Sequence, residues 1–266
     1  MLKRILYIVA FVMQLGFLHA SIVVLNGLTH NYKVENGQIY KGKIAIENTG
    51  IASQNVKIYL QDFSYKSDGS MNYTAPLTNI KTNADWIKLN TNLITLRGKE
   101  KTEVYYEIIV PEKITQPGSY WSVLIVEPVD EIKPSDKKMG INITSVVRYA
   151  IQIITDYGTE NIKPDLKFES IKMEHLENKR LLKIAIANMG NIYCKPTVSA
   201  ELYNSKSGQK ISTLTGIPMG LLPTTSKSFY IDISKIPPDK YNAVIIATDE
   251  NENAFALNTE LEIRND

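Results

Sequence analysis

Short runs of alternating apolar and polar residues, separated by turn residues, follow one another along most of the chain. The runs are rich in Val, Ile, Thr and Tyr, which favour a pleated, half-buried strand, whereas the spacing of an amphipathic helix is weak throughout. The pattern therefore predicts an all-β fold. The predicted strands are 22–25, 40–47, 54–63, 86–89, 93–96, 101–110, 120–127 and 141–155, then 166–173, 181–187, 197–203, a short one around Ile211, 227–233, 241–247 and 254–263.

One strand ending recurs in the two halves of the chain. Ile44-Ala-Ile-Glu-Asn-Thr-Gly50 returns as Ile184-Ala-Ile-Ala-Asn-Met-Gly190, and each copy is followed by another strand-like run and a turn. We expect each Asn-x-Gly to turn the chain through a residue that tolerates positive φ. About seven strands per half is typical of an immunoglobulin-like sandwich. The sequence predicts two tandem immunoglobulin-like domains, at 21–156 and 165–266, joined by a linker at 157–164.

The first twenty residues have the features of a cleaved secretory signal peptide. Lys3 and Arg4 precede an apolar run of about 14 residues, shorter than the roughly 20 of a spanning helix, and Ala20 suits the cleavage position. A retained N-terminal anchor is the alternative. We expect a bacterial protein of the periplasm, or one that is secreted or displayed on the cell surface, with no membrane span in the mature chain.

Charge and motifs exclude several classes of function. Without Lys3 and Arg4, 28 basic residues remain against 28 acidic ones, so nucleic acid is a poor partner. The chain has no Gly-x-Ser-x-Gly, no His-Glu-x-x-His and no phosphate-binding glycine loop. Cys194 is expected to be packed rather than nucleophilic. The acidic residues at strand ends are expected to form turns: Asp62, Asp68, Asp85 and Glu127. The sequence predicts no enzyme activity, no cofactor, no catalytic residue and no metal site.

The predicted strand 141–155 departs from ordinary sandwich patterning. It is about three times the usual strand length, and apolar residues occur on both of its faces. Such an edge strand is prone to aggregation unless another strand pairs with it, so one interpretation is that a partner's strand adds to this edge. The other interpretation is a central or bulged strand that is merely long. The pattern alone leaves both open.

The order of motifs in the first half resembles the PapD-like periplasmic pilus-assembly chaperones. Leu96-Arg-Gly-Lys-Glu-Lys-Thr-Glu-Val-Tyr-Tyr-Glu107 precedes Gly118-Ser-Tyr-Trp-Ser-Val-Leu-Ile-Val-Glu-Pro128, and a long loop and a long strand containing Arg148 follow. The resemblance covers residues 21–156. It implies that the last strand of the first domain lends apolar side chains to an incomplete pilus subunit. The partner-binding residues would then be Val146, Arg148, Ala150, Gln152 and Ile154.

One feature of that family has no counterpart here. Its members anchor the subunit's terminal carboxylate with a basic residue on the first strand and a lysine on the long strand. The nearest positions in this chain are Thr29 or His30 and Ala150. The resemblance therefore implies a protein-binding edge strand but not the carboxylate anchor.

The sequence also resembles Gram-positive surface proteins that combine peptidoglycan-binding and WxL-interacting domains. The features shared with them are Asn48-Thr-Gly50 and the turn Pro117-Gly-Ser-Tyr120. The main hypothesis is an exported, non-enzymatic chaperone-like or assembly protein whose partner is a pilus subunit, a surface subunit or an envelope protein. The alternative is a cell-envelope attachment module that binds surface protein or cell-wall glycan. Trp86 would be a glycan contact, whereas Trp121 is expected in a sandwich core.

Overall fold

The computed structural model describes residues 22–129 and 146–264. These residues form 17 strands and a single 3₁₀ turn, which confirms the all-β prediction. No helix in these two ranges is long and apolar enough to cross a membrane. The predicted signal peptide and residues 141–145 of the predicted long strand lie outside the described residues.

The strands make two groups in chain order. The first group is β1 (Ile22–Val24), β2 (Thr29–Val34), β3 (Ile39–Asn48), β4 (Gln54–Tyr65), β5 (Met71–Thr74), the 3₁₀ turn (Ala84–Trp86), β6 (Ile87–Leu89), β7 (Leu93–Leu96), β8 (Lys101–Ile109), β9 (Gly118–Val129) and β10 (Tyr149–Tyr157). The second group is β11 (Leu166–Leu176), β12 (Lys179–Asn188), β13 (Thr197–Asn204), β14 (Lys210–Thr215), β15 (Ser226–Asp232), β16 (Asp239–Thr248) and β17 (Ala254–Ile263).

Each group builds two sheets that pack face to face. In the first group, the sheet β1-β3-β8-β6 lies against the sheet β2-β10-β9-β4-β5, in which β7 also pairs with β4. In the second group, β11-β12-β15 lies against β14-β13-β16-β17. Alternate side chains of the strands point inward, as in Ile44 and Ile46 of β3 or Ile184 and Ile186 of β12, all fully buried. The prediction of two tandem immunoglobulin-like sandwiches is confirmed.

Three differences from the predicted strands bear on function. β2 and β5 were not predicted, because their sequences are largely polar. The last strand of the first group begins at Tyr149, not at residue 141, and residues 146–148 are not in a strand because they form no ladder. That strand also continues to Tyr157, the first residue of the predicted linker. The domain bounds themselves stay predictions.

The repeated asparagine ties two loops together in each domain. The Asn48 side-chain amide donates to the carbonyls of Ala52, at 2.8 Å, and Leu96, at 3.2 Å, and its Oδ1 accepts the Gly50 N–H at 2.9 Å. The side chain is fully buried. A short side chain that bonds to the backbone two residues on turns the chain without positive φ.

Asn188 makes the equivalent contacts in the second domain. Its amide donates to the carbonyls of Ile192, at 2.8 Å, and Leu221, at 3.2 Å, and its Oδ1 accepts the Gly190 N–H at 3.0 Å. Neither Gly50 nor Gly190 has positive φ. The expectation of positive φ was therefore wrong. The repeat marks an asparagine that satisfies buried carbonyls.

Replacing Asn188 with alanine is expected to lower the free energy of unfolding by about 2–4 kcal/mol, because three hydrogen bonds are lost and, among the described residues, only the Leu221 carbonyl keeps another donor, the Cys194 N–H. Urea unfolding followed by circular dichroism measures this. Asn48→Ala should cost a similar amount, whereas Asn258→Ala, at an exposed position of β17, should change stability by less than about 0.5 kcal/mol. Equal stability of the Asn188→Ala and Asn258→Ala variants would show that these bonds do not hold the loops.

Candidate partner-binding edge

The strand β10 is covered on one side and only partly covered on the other. It pairs antiparallel with β9 along its whole length, from Tyr149 to Tyr157. On its other side it pairs in parallel with β2, but only from Gln152 to Tyr157. Among the described strands, β10 therefore has neighbours on both sides from Gln152 onward and only β9 beside it before Gln152, so that addition of a partner's strand there stays a prediction. We call residues 146–151 the open edge.

The backbone at the open edge faces outward at Ala150. The Gln152 N–H donates to the Leu28 carbonyl at 2.9 Å, so the backbone groups of Gln152 point away from β9. Because backbone direction alternates along a strand, the N–H and C=O of Ala150 point to the same side. Among the described strands, β2 is the only one on that side, and its register begins at Gln152. The Ala150 groups are thus positioned to pair with an additional strand.

Exposed apolar side chains lie around this backbone. Val146 is 46% exposed, Val147 is 45% exposed, and Leu28, which precedes β2, is 46% exposed. Exposed apolar residues beside backbone that has no neighbour among the described strands are a feature of edges that can pair with another chain.

Three of the predicted site residues, Ala150, Gln152 and Ile154, share one face of β10, whereas Val146 and Arg148 precede the strand. Arg148 is half exposed, and its Nη1 lies 3.9 Å from Glu127 Oε1. Ala150 is partly buried. Together with the exposed Val146, these residues form the accessible part of the predicted site.

Gln152 and Ile154 are placed differently. The Gln152 N–H is already bonded to Leu28, and the Ile154 side chain is fully buried among residues that include Trp121. Contact of Ile154 with a partner would require this packing to open. The assignment of all five residues to partner binding stays a prediction.

The side chains of this face form rows across β4, β9 and β10. The strand registers give Tyr59, Ile125 and Ala150 in one row, and Gln61, Val123 and Gln152 in the next. The Oε1 atom of Gln61 is buried and finds no hydrogen-bond donor among the described residues. We call this side of the sheet, which faces away from the core of the first domain, the outer face. Apart from Gln61 and Gln152, the side chains of these two rows are largely apolar.

The far end of the outer face contacts the second domain through the β4–β5 hairpin. The Tyr65 hydroxyl accepts the Leu222 N–H at 2.9 Å and donates to the Gly220 carbonyl at 3.2 Å. The Lys227 ammonium lies 4.6 Å from the centre of the Tyr65 ring, and burial lowers the pKa of Lys227. Ser67 adds further bonds, including one from its N–H to Ser226 Oγ at 2.9 Å.

A second contact between the domains lies at the start of β9. Ser119 Oγ accepts the Tyr193 N–H at 2.7 Å and donates to Asp156, whose pKa is raised by burial. A Cβ at Gly118 would lie only 2.6 Å from the Asn191 carbonyl oxygen, so this close approach requires glycine. Two sets of hydrogen bonds thus fix the outer face against the second domain.

The residues considered for other chemistry are engaged in structure. Burial, with smaller contributions from nearby acidic residues, raises the pKa of the Cys194 thiol to about 12, so it remains protonated. Asp62 is buried and accepts hydrogen bonds from a loop. No group of three His, Cys, Asp or Glu residues in the described ranges could hold a metal ion.

Both tryptophans are buried, which removes the expected glycan contact. Trp86 packs in the core of the first domain with its ring centre 5.0 Å from that of Tyr120. Trp121 was predicted in a sandwich core, but its register with Ile154 places it on the outer face of the sheet, in the cluster of buried residues that continues into the second domain. Neither ring is available to stack on a sugar in this conformation.

Comparisons with known proteins find similarity in solved structures. No family model matches the chain, and no curated protein matches it. A structure titled as a chaperone-tip adhesin complex of CFA/I fimbriae biogenesis is 13% identical, with a TM-score of 0.47, and the match covers 90% of this chain and 99% of that one. The CsuC-CsuE chaperone-tip adhesion subunit complex of Acinetobacter baumannii is 14% identical, with a TM-score of 0.46 and coverage of 90% and 98%. The class 5 fimbriae chaperone CfaA is 12% identical, with a TM-score of 0.46 and the same coverage. Each of these three matches covers 90% of this chain.

Proposed function

We propose that this protein is an exported, non-enzymatic factor that binds an extended segment of another protein by strand addition at the open edge. The observation that carries the proposal is that the backbone N–H and C=O of Ala150 point away from β9, two residues before Gln152, where the pairing of β10 with β2 begins. The partner would be a pilus or surface subunit with an unpaired sheet edge of its own, and the role that of a periplasmic chaperone or assembly protein.

The fixed position of β2 supports this proposal. The Tyr106 hydroxyl lies 2.8 Å from His30 Nδ1 and 2.8 Å from the Tyr32 hydroxyl, so both β2 side chains are bonded to the opposite sheet. The Asn36 amide donates to the Tyr157 hydroxyl at 3.0 Å. A strand held in this way leaves the open edge with no neighbour on that side among the described strands. Binding to a preformed edge avoids much of the entropy cost of ordering.

Ala150→Pro tests the proposal. Proline removes the outward N–H of residue 150 and places its ring on the open side of β10. The hydrogen bonds between β9 and β10 are kept, because the Ala150 N–H points away from β9. Ala150→Ser is the matched control that keeps the N–H. We expect Ala150→Pro to lower affinity for the native partner at least about tenfold, and Ala150→Ser to bind as the wild type does.

The partner is to be isolated from the periplasmic or secreted fraction with the wild-type protein, and affinity is then measured with each variant. Hydrogen exchange of the complex adds a residue-level readout, since the Ala150 amide should become protected on binding. A folded Ala150→Pro variant with unchanged affinity, or an Ala150 amide that gains no protection, would overturn strand addition. Sedimentation of both variants with purified cell wall would favour the attachment alternative.

A further inference from the structure

Charged residues form a row at the open end of the outer face. Glu127 of β9 is directly opposite Lys57 of β4 in the strand register. On its other side, Glu127 Oε1 lies 3.9 Å from Arg148 Nη1, and Arg148 is half exposed beside the open edge. The row therefore consists of Lys57, Glu127 and Arg148, and the cation Arg148 lies at the end where a further strand would pair.

One carboxylate is shared among these groups. Glu127 Oε2 also accepts a hydrogen bond from the Tyr59 hydroxyl at 2.9 Å, and the Lys57 ammonium lies over the Tyr59 ring, 5.1 Å from its centre. Two cations against one anion leave the row with net positive charge. Opposite charges in directly facing positions of neighbouring strands stabilise a sheet, and like charges destabilise it.

The next row determines what can follow the charged position. Ala150 presents only a methyl group to the outer face, beside the fully buried Ile125. A partner side chain opposite Ala150 would therefore meet a small apolar surface. A large apolar side chain fits this position better than a polar one, because it buries apolar area on both partners.

Resting on the proposed strand addition, we propose that Arg148 is a specificity-determining residue, which selects a partner strand with an acidic residue opposite it. The partner residue two positions away, opposite Ala150, is large and apolar. The guanidinium can hold two carboxylates at once, since it offers five donors in a planar fork. A basic partner residue would instead place three cations around the single Glu127 carboxylate.

Two synthetic peptides test the charge preference. One is Thr-Val-Glu-Val-Leu-Val-Thr with blocked ends, and the other has Lys in place of Glu. We expect the Glu peptide to bind the wild-type protein about fivefold more tightly than the Lys peptide at low ionic strength. Salt should reduce that difference, because the pair is partly exposed.

Variants of Arg148 separate this inference from the proposed function. Arg148→Gln should bind both peptides equally, and Arg148→Glu should prefer the Lys peptide. Arg264→Glu, at an exposed position near the end of the second domain, is the charge-matched control and should keep the wild-type preference. Thermal unfolding of each variant confirms that it is folded.

Equal binding of the two peptides to wild type, or a preference that survives Arg148→Glu, would overturn the role of Arg148. Strand addition would still stand if Ala150→Pro abolished binding of both peptides. Binding of both peptides that is insensitive to Ala150→Pro would instead overturn the proposed function. A fivefold preference that reverses with the charge of residue 148 and disappears in Ala150→Pro would support both.

Discussion

Replacing Asp62 with alanine is expected to lower the free energy of unfolding by about 3–5 kcal/mol, because a buried acceptor of several hydrogen bonds is lost. The Asp62 side chain is buried and accepts the N–H groups of Thr78 and Asn79, each at 2.7 Å. It also accepts the Thr82 hydroxyl at 2.5 Å. Alanine would leave these donors without this acceptor, at a position where the side chain itself is buried.

The expected cost is large because Asp62 lies where the sheet divides. Gln61 is the last residue of β4 in register with β9, and beyond it the Lys81 carbonyl accepts the Trp121 N–H at 2.9 Å. The loop held by Asp62 thus takes the place of β4 beside β9, while β4 and β5 continue toward the second domain. Loss of the anchor should loosen the loop and the hairpin together.

Asp68→Ala is the control for this prediction. Asp68 is exposed in the β4–β5 turn and accepts the Ser70 N–H at 2.8 Å, so its replacement should cost less than about 1 kcal/mol. Chemical unfolding gives the two free energies, and hydrogen exchange of the Thr78 and Asn79 amides locates the loosening. An Asp62→Ala variant as stable as Asp68→Ala would refute the anchoring role.

The local sequence pattern was sufficient to predict those strands in which apolar residues are buried and the polar residues between them are more exposed. β12 alternates around the buried Leu182 and Ile184, and its strand and its repeat were both predicted. β2 was missed because its stabilising contacts are remote in sequence. It pairs in parallel with β10, more than a hundred residues later, and its His30 and Tyr32 bond to Tyr106. Nothing within Thr29–Val34 indicates those partners.

The candidate site was predicted in part for the same reason. The alternation along β10 places Ala150, Gln152 and Ile154 on one face, as a period of two requires, whereas Val146 precedes the strand. Their different exposure depends on other elements, since β2 covers the edge only from Gln152 onward and the cluster around Trp121 buries Ile154. The periodicity of the sequence predicts which side chains share a face of a strand. Tertiary contacts decide which of those side chains other elements bury.

Replacing Trp121 with alanine is expected to cost about 3–5 kcal/mol and to weaken the coupling between the two domains. Its ring lies in the cluster of buried side chains that joins the outer face of the first domain to the second, and its indole N–H donates to the Phe63 carbonyl at 2.8 Å. Phe63 precedes Tyr65, which bonds to the second domain. The cavity left by Trp121→Ala would therefore open at the contact between domains.

Trp86→Ala provides the matched comparison, because Trp86 is also buried but packs within the core of the first domain. We expect it to lower stability by a similar amount, about 3–5 kcal/mol, without separating the domains. The chain has two tryptophans, so each variant keeps the other as a fluorescent reporter in the first domain.

Differential scanning calorimetry should then show two separated transitions for Trp121→Ala. The change in fluorescence should follow only the transition of the first domain. Trp86→Ala should shift the first-domain transition while the hydrogen bonds of Tyr65 remain protected against exchange. If both variants unfold in the same single transition, the cluster around Trp121 contributes to stability but does not couple the domains.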